Sequence, residues 1–496
     1  MKFNTDTDMK RAITLIVLAL LGTSWAGAKV TLPSFFSDNM VLQQNCETAI
    51  WGWTDTGNKV TITTTWTDAK FTAVPDGNGK WFVRLKTPEA GGPYKIFITD
   101  SDKKSNKKGE TKDVVELKNV LIGEVWFCSG QSNMEMVVAG YSGQPAEGST
   151  DIILDAKAKT PIRMCTITKK SSLTPVTECE GSWQENTPEA VANTSATAYF
   201  FAKKLHDALD VPVGILISCW GGSTIETWMD RETISGKFPG EFNLDFLDGK
   251  AKMPGVEYQT PCTLFNGQVA PLVPFTFKGM IWYQGEANRG RPDQYIRLQK
   301  EYVEMMRRLF ENPDAPFYFV QIAPYPYSAP EDWTSGYFCE AQRKSLDVIP
   351  HSGMAATVDI GEYGTIHPCK KKEVGNRLAY LALVNDYGLK GVSPVSPTYE
   401  SVKFEDGKAY VQFKVDHRLL SPIDSDLGGF EIAGKDKVFH PADARISGWS
   451  GVVVVSSPDV PEPAAVRYCF RNWGVGTLFN NYGIPVGPFR TDNWDL

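Results

Sequence analysis

Imidazole is scarce in this chain: 496 residues include five histidines, namely His206, His351, His367, His417 and His440. A reaction that needs a histidine base has few places to put one. The nine cysteines, Cys46, Cys128, Cys165, Cys179, Cys219, Cys262, Cys339, Cys369 and Cys469, show no Cys-x-x-Cys pair, which argues against a zinc site. An odd number leaves at least one thiol unpaired, and Cys128 and Cys219 fall in apolar runs where a thiol is expected to serve as a small core hydrophobe. Basic residues are not in excess either. A net charge of -7, a pI near 5.5 and no window of Lys or Arg with interleaved aromatics leave nucleic acid out as a partner. After the N-terminus no apolar run reaches the ~18 residues a membrane-spanning helix needs, and no internal repeat or low-complexity segment is evident.

What is present begins with Lys10-Arg11, an apolar run from Ala12 to Leu21 and the small residues Ala26-Gly27-Ala28. That is the order of a secretory signal. Residues 1–28 are therefore expected to be a cleaved signal peptide, which places the rest in the periplasm or outside the cell with no membrane attachment, a retained N-terminal anchor being the competing reading. Residues 29–118 alternate in the strand manner, as in Thr48 to Trp53 and Lys80 to Leu85, between turn clusters such as Pro75 to Gly79. This punctuation predicts a small N-terminal β-sandwich.

Over residues 119–390 the period changes. Short apolar runs at Val125 to Ser129, Val213 to Ser218, Met280 to Gln284, Phe317 to Ile322 and Met354 to Asp359 alternate with helical patterns at Ala196 to Leu209, Asp293 to Phe310 and Cys369 to Asn385. Five strands with covering helices predict an α/β domain, a doubly wound parallel five-stranded sheet. Residues 391–496 return to a β pattern and predict a C-terminal β module.

In an open parallel sheet the carboxyl ends of all strands share one side, and ligands bind in the crevice there. Four of the expected strands end in chemistry. The first delivers Ser132, a candidate nucleophile, and the second Gly221-Gly222. The third delivers Gln284, Glu286 and Asn288. The last leads through Asp359 and Glu362 to His367-Pro368. His367 is the best placed base: Pro368 suits the first position of the next helix, and near that positive helix end an imidazole stays neutral and able to accept the serine proton. An unperturbed imidazole would make activity fall as pH drops through about 6.5. Candidate oxyanion donors are the Ser132 and Gly222 backbone N–H groups and the Gln284 amide. Gly130 to Met134 is not the Gly-x-Ser-x-Gly elbow of α/β-hydrolases, because Met134 stands where the second glycine would be. Trp228, Trp282 and Tyr283 lie near the expected crevice and are candidates to stack on sugar, with core packing the favoured role for Trp282.

At these residues the chain resembles the sialate O-acetylesterase family, in the carbohydrate-esterase branch of the SGNH/GDSL hydrolase superfamily. The likeness runs through Asp38 to Gln43, Trp51-Gly52, Gly123 to Glu135, Gly221 to Trp228, Ile281 to Asn288, Asp359 to Pro368 and Asn481 to Asp492. It implies a flavodoxin-like three-layer SGNH domain, Ser132 as nucleophile, His367 as general base and acid, and the Ser132, Gly222 and Gln284 positions as oxyanion hole. It also implies an O-acetylated carbohydrate as substrate, with no metal or organic cofactor. Gly364 stands where many superfamily members place an aspartate three residues before the histidine. Asp359, Glu362 or a backbone carbonyl is left to orient the imidazole, and Glu286 and Asn288 to bind substrate or brace the site. The expected activity is exported O-acetylesterase action on sialic acid, with acetylated plant polysaccharide such as xylan as the alternative. The rival readings are a non-catalytic glycan-binding protein and a lipid esterase or thioesterase, for which the chain offers no long apolar lid.

Overall fold

The computed structural model describes residues 30–100, 114–416, 418–420, 426–448 and 451–494. The expected signal segment and His417 lie outside them. The described chain divides into two compact units, one drawn from residues 51–83 and 96–116 and the chain before 33, the other comprising 33–50, 84–95 and everything from 117 onward. Residues 33–50 and 84–95, expected in an N-terminal sandwich, thus belong with the larger unit, and so does the C-terminal β module. Within the smaller unit, Val60–Thr64 pairs antiparallel with Thr67–Ala73, and Ile62 faces Ile98 across a second antiparallel pair.

The part of the sheet that carries the chemistry, from residue 117 onward, lies in the larger unit. Its strands are β1 (Val114–Gly130), β2 (Ile162–Thr166), β3 (Trp183–Glu185), β4 (Val213–Cys219), β5 (Gly279–Tyr283), β6 (Phe317–Val320) and β7 (Ser352–Ala355), in spatial order β3-β2-β4-β1-β5-β6-β7. All neighbours are parallel except β3 against β2. The five expected strands therefore stand in the flavodoxin-like order 2-1-3-4-5, extended at one edge by β2 and β3. Sequence reading missed β2 because Ile-Arg-Met-Cys-Thr places an arginine inside a buried strand; Arg163 is held there by the carbonyls of Thr160 and Ile162. Strand order reverses at β1, and that switch point is where an open sheet leaves a crevice beyond its carboxyl ends.

Alternation along β1 sends its side chains to two helical layers. Trp126 meets Phe201 of α2 (Ala196–Leu209) edge to face at 4.9 Å, while Phe127 stacks with Phe277 at 5.8 Å on the other face. Helix α3 (Pro292–Leu309) covers that second face with α4 (Thr334–Ser345), and α5 (Lys371–Asn385) lies beside α2. Tyr302 of α3 packs on Trp282 of β5 at 4.6 Å. Each fully buried aromatic or aliphatic side chain of this kind contributes roughly 1.5–3 kcal/mol. Helix α5 begins at Lys371, so Pro368 is not its first residue; the chain makes a separate loop there because the Cys369 N–H is taken by Glu362 Oε1 at 2.5 Å. Antiparallel sheets built on Thr398–Glu405, Lys408–Lys414, Val452–Ser456 and Asp443–Ser447, and on Phe430–Ala433 with Ala465–Tyr468, form the C-terminal module. Among the described residues no helix is long and apolar enough to cross a membrane.

Candidate active site

Strand β1 ends at Gly130, whose φ of +144° and close approach to β5 both require glycine: a Cβ there would lie 2.1 Å from the Tyr283 carbonyl oxygen. The Gln131 N–H then donates to that same carbonyl at 2.9 Å, and Gln131 Oε1 accepts from the Gly285 and Ala287 N–H groups. These bonds set the direction of the short helix α1 (Ser132–Glu135) that opens with the candidate nucleophile. Its far side is fixed by α2, where the N-cap Ser195 hydroxyl donates to Met134 O at 2.5 Å and Thr197 Oγ1 to Asn133 O at 3.2 Å. Ser132 itself is partly exposed.

His367 arrives from the end of β7. Neither expected carboxylate meets its ring. Asp359 is clamped by both guanidinium nitrogens of Arg377 at 2.7 and 2.6 Å, and Glu362 accepts from the Cys369 N–H. The partner of His367 Nδ1 is instead Gln144 Oε1, at 2.7 Å. An amide oxygen only accepts, so Nδ1 carries the proton and Nε2 presents a lone pair. Thr365 supports both groups: its hydroxyl donates to Gln144 Oε1 at 3.0 Å and accepts from the His367 N–H at 3.1 Å.

The loops bearing Ser132 and His367 are joined twice. Tyr141 lies edge-on to the imidazole, ring centroids 5.3 Å apart, and its hydroxyl donates to Ser132 O at 3.2 Å. Asn133 Nδ2 donates to the carbonyl of Ile366 at 3.1 Å, linking the neighbour of the serine to the neighbour of the histidine. Among the described residues no hydrogen bond joins Ser132 Oγ to His367; such contacts are often loose without substrate and tighten in the Michaelis complex. The other described histidines are elsewhere. His351 is exposed at the amino edge before β7, His206 bonds the Val211 carbonyl from α2, and His440 belongs to the C-terminal module.

Two expected oxyanion donors are available and one is not. The Gly221 N–H is taken by Glu135 Oε2 at 2.6 Å. Gly222 turns the chain in the left-handed region at φ +73°, and neither its N–H nor that of Ser132 donates to another group among the described residues. Gln284 is fully buried, and its amide hydrogens go to the Ser223 carbonyl at 3.1 Å and Asn288 Oδ1 at 2.6 Å. The opposite amide orientation would set an oxygen against two acceptors, because Asn288 Nδ2 already donates to Glu226. Asn288 is thereby a brace, as is Glu286, which accepts from Asn133 at 2.6 Å. Trp228, Trp282 and Tyr283 are all buried and offer no face to a sugar. The partly exposed aromatics beside Gly222 are Trp220 and Tyr258, stacked at 6.1 Å with Lys169 over the Trp220 ring.

The profile of a family described as carbohydrate esterase, sialic acid-specific acetylesterase, matches residues 122–383, which include every residue of this site and more than half of the chain. The chain belongs to that family. Membership makes it a carboxylic ester hydrolase. The mouse and rat sialate O-acetylesterases are 26% and 27% identical to it, the alignments covering 93% of this chain and 93% and 94% of those proteins. The crystal structure of a carbohydrate acetylesterase from Xanthomonas citri is 31% identical and superposes with a TM-score of 0.81 over 94% of this chain and all of that one.

Around the histidine of this esterase the charges favour a neutral ring. Burial and then the Lys371 ammonium hold the His367 pKa down to about 4, against a smaller opposing pull from Glu135. This differs from the helix-end argument, since the helix begins four residues later. Lys371 is buried and pushed down to about 7, opposed first by Glu286, whose own carboxyl burial pushes upward. Gln144, Tyr141 and Lys371 were not singled out from sequence. The first two lie in an aperiodic loop with no motif, and Lys371 looks like one of three consecutive solvated lysines.

Proposed function

We propose that this family member hydrolyses O-acetyl esters on carbohydrate through an acyl-enzyme on Ser132. His367 Nε2 accepts the proton as Ser132 Oγ attacks the acetyl carbonyl, and the tetrahedral oxyanion takes the Ser132 and Gly222 N–H groups. The imidazolium returns its proton to the departing sugar oxygen as that C–O bond breaks. Water, deprotonated by the same nitrogen, then attacks the acyl-serine, and the imidazolium protonates Ser132 Oγ as the acyl–oxygen bond breaks and acetate leaves. Gln144 keeps the proton of the resting ring on Nδ1, which is the role an aspartate holds in other serine hydrolases. The observation that supports this reading is the pairing of the Ser132 and His367 loops by Asn133 and Tyr141, the other described histidines lying elsewhere.

The substrate is an acetylated sugar, with the stacked Trp220 and Tyr258 rings as a platform for its apolar face. O-acetylated sialic acid is the first expectation and acetylated plant polysaccharide the second. Acetate release from acetylated sialoglycan and acetylated xylan, measured side by side, decides between them; release from neither would remove the carbohydrate reading. The signal-like N-terminal residues support export to the periplasm or beyond, which detection of a chain shortened by about 28 residues in the exported fraction would test.

A pH dependence follows from the histidine environment. Its lowered pKa keeps the base neutral as pH falls through 6.5, so kcat/KM is expected to hold its value there and to drop only toward pH about 4. A pH–rate profile on p-nitrophenyl acetate checks this. A limb centred near 6.5 would mean the imidazole is not shielded as described.

A further inference from the structure

Bonded to the residue that follows the nucleophile is a buried lysine that the steps above leave unused. Lys371 is 1% exposed, and its ammonium donates to Asn133 Oδ1 at 2.5 Å. The same Asn133 side chain gives one amide hydrogen to Glu286 Oε1 at 2.6 Å and the other to Ile366 O at 3.1 Å. Asn133 is thus held at every polar atom of its side chain, by α5, by the loop after β5 and by the loop that carries His367. It directly follows the nucleophile in the chain, and the carbonyl it grips belongs to the residue directly before the base.

For stability alone the arrangement is an expensive choice. Sequestering an ammonium and a carboxylate from water costs several kcal/mol per ion before their attraction is counted, and apolar replacements of buried pairs are often neutral or stabilising. The cost falls where the registration of two loops decides a reaction. Without Lys371, Asn133 Oδ1 would be a buried acceptor with no donor, and its amide could swing to satisfy it and release the Ile366 carbonyl.

We propose that Lys371 is a positioning residue for catalysis: by fixing the Asn133 amide it registers the His367 loop against Ser132. The proposal rests on the acyl-enzyme reading above. It accounts for a buried lysine at the start of a helix otherwise lined by Val374, Leu378 and Leu381, and at pH 8, where His367 is neutral with or without the Lys371 charge, it predicts a loss that acts through Asn133.

The test is a double-mutant cycle on the full chain with p-nitrophenyl acetate, comparing Lys371→Met, Asn133→Ala and the pair. Each single variant is expected to lose roughly 10²-fold in kcat, the cost of a misplaced catalytic group, with KM changed by no more than about twofold. The pair should lose no more than Asn133→Ala alone, since the Lys371 link runs through that amide. Circular dichroism and Tm establish folding. If Lys371→Met alone does not fold, Lys371→Met with Glu286→Gln removes both buried charges and carries the same kcat measurement. A folded Lys371 variant within about threefold of the parent kcat, or losses that multiply in the pair, would overturn the proposal. Ser132→Ala is measured alongside: retained activity there refutes the acyl-enzyme reading itself, whereas its loss together with an active Lys371 variant refutes only the positioning role.

Discussion

Replacing Ser132 by alanine is expected to lower kcat for acetyl-ester hydrolysis by roughly 10⁴- to 10⁶-fold. The fold should not notice. Ser132 Oγ has no hydrogen bond among the described residues and the side chain is partly exposed, so the truncation removes no contact and costs within about 0.5 kcal/mol. The Ser132 and Gly222 N–H groups survive the substitution, which leaves a residual rate above water from transition-state binding. His367→Ala is expected to fall into the same range, and the two changes together should do little more than either, because nucleophile and base act as one unit. Ser129, three residues earlier, is fully buried in β1 and cannot meet a substrate, so Ser129→Ala controls for serine loss in general. Acetate release with Tm measured in parallel separates the outcomes: an active Ser132→Ala would move the nucleophile elsewhere.

The parts of this site that sequence disclosed are those tied to strand ends. Runs such as Val-Trp-Phe-Cys-Ser and Gly-Ile-Leu-Ile-Ser are short, apolar and flanked by breakers, so their pattern alone puts their carboxyl ends, and with them Ser132, Gly222, Gln284 and His367, on one edge. What stayed hidden depends on side-chain partners. Asp359 has the position of a triad acid after β7, but Arg377, in the second turn of α5, takes both its oxygens. Gln284 looked like an oxyanion donor, but whether an amide is free depends on Ser223 and Asn288, which approach from different loops. Gln144 sits in a stretch without period or motif, twelve residues past the nucleophile, and only the closure of that loop by the Tyr141–Gln144 bridge brings it to the imidazole. Local pattern specifies where a strand ends; it carries no record of which distant group fills a hydrogen bond.

The division of the N-terminal region fails for a related reason. Alternation and turn residues correctly mark strands between residues 29 and 118, yet the same alternation cannot say which sheet a strand joins. Val41–Gln43 pairs in parallel with Leu121 to Gly123 of β1, and Gln43 and Gln44 both bond Glu124. These contacts are to the larger unit and are set by residues some eighty positions away.

The second large effect expected concerns Gln144. Its oxygen is the only partner of His367 Nδ1 among the described residues, so Gln144→Ala frees the ring to turn and to adopt the tautomer with the proton on Nε2, where it cannot serve as base. A fall of about 10²-fold in kcat follows, at the lower end of what general-base catalysis supplies, because water can partly replace a neutral acceptor. Gln144→Glu separates orientation from charge. A carboxylate in that place still accepts from Nδ1–H and also stabilises the imidazolium, so the histidine pKa must rise from about 4. The acid limb of kcat/KM should then move upward by one or two pH units, roughly the shift a close opposite charge produces, while activity at pH 8 is kept. Protonated histidine is inactive, so the variant loses rate at pH 5, where the parent does not. If Gln144→Ala keeps its rate and Gln144→Glu keeps its acid limb, the 2.7 Å contact has no hold on the base, and the imidazole must be oriented by its fit against Tyr141 instead.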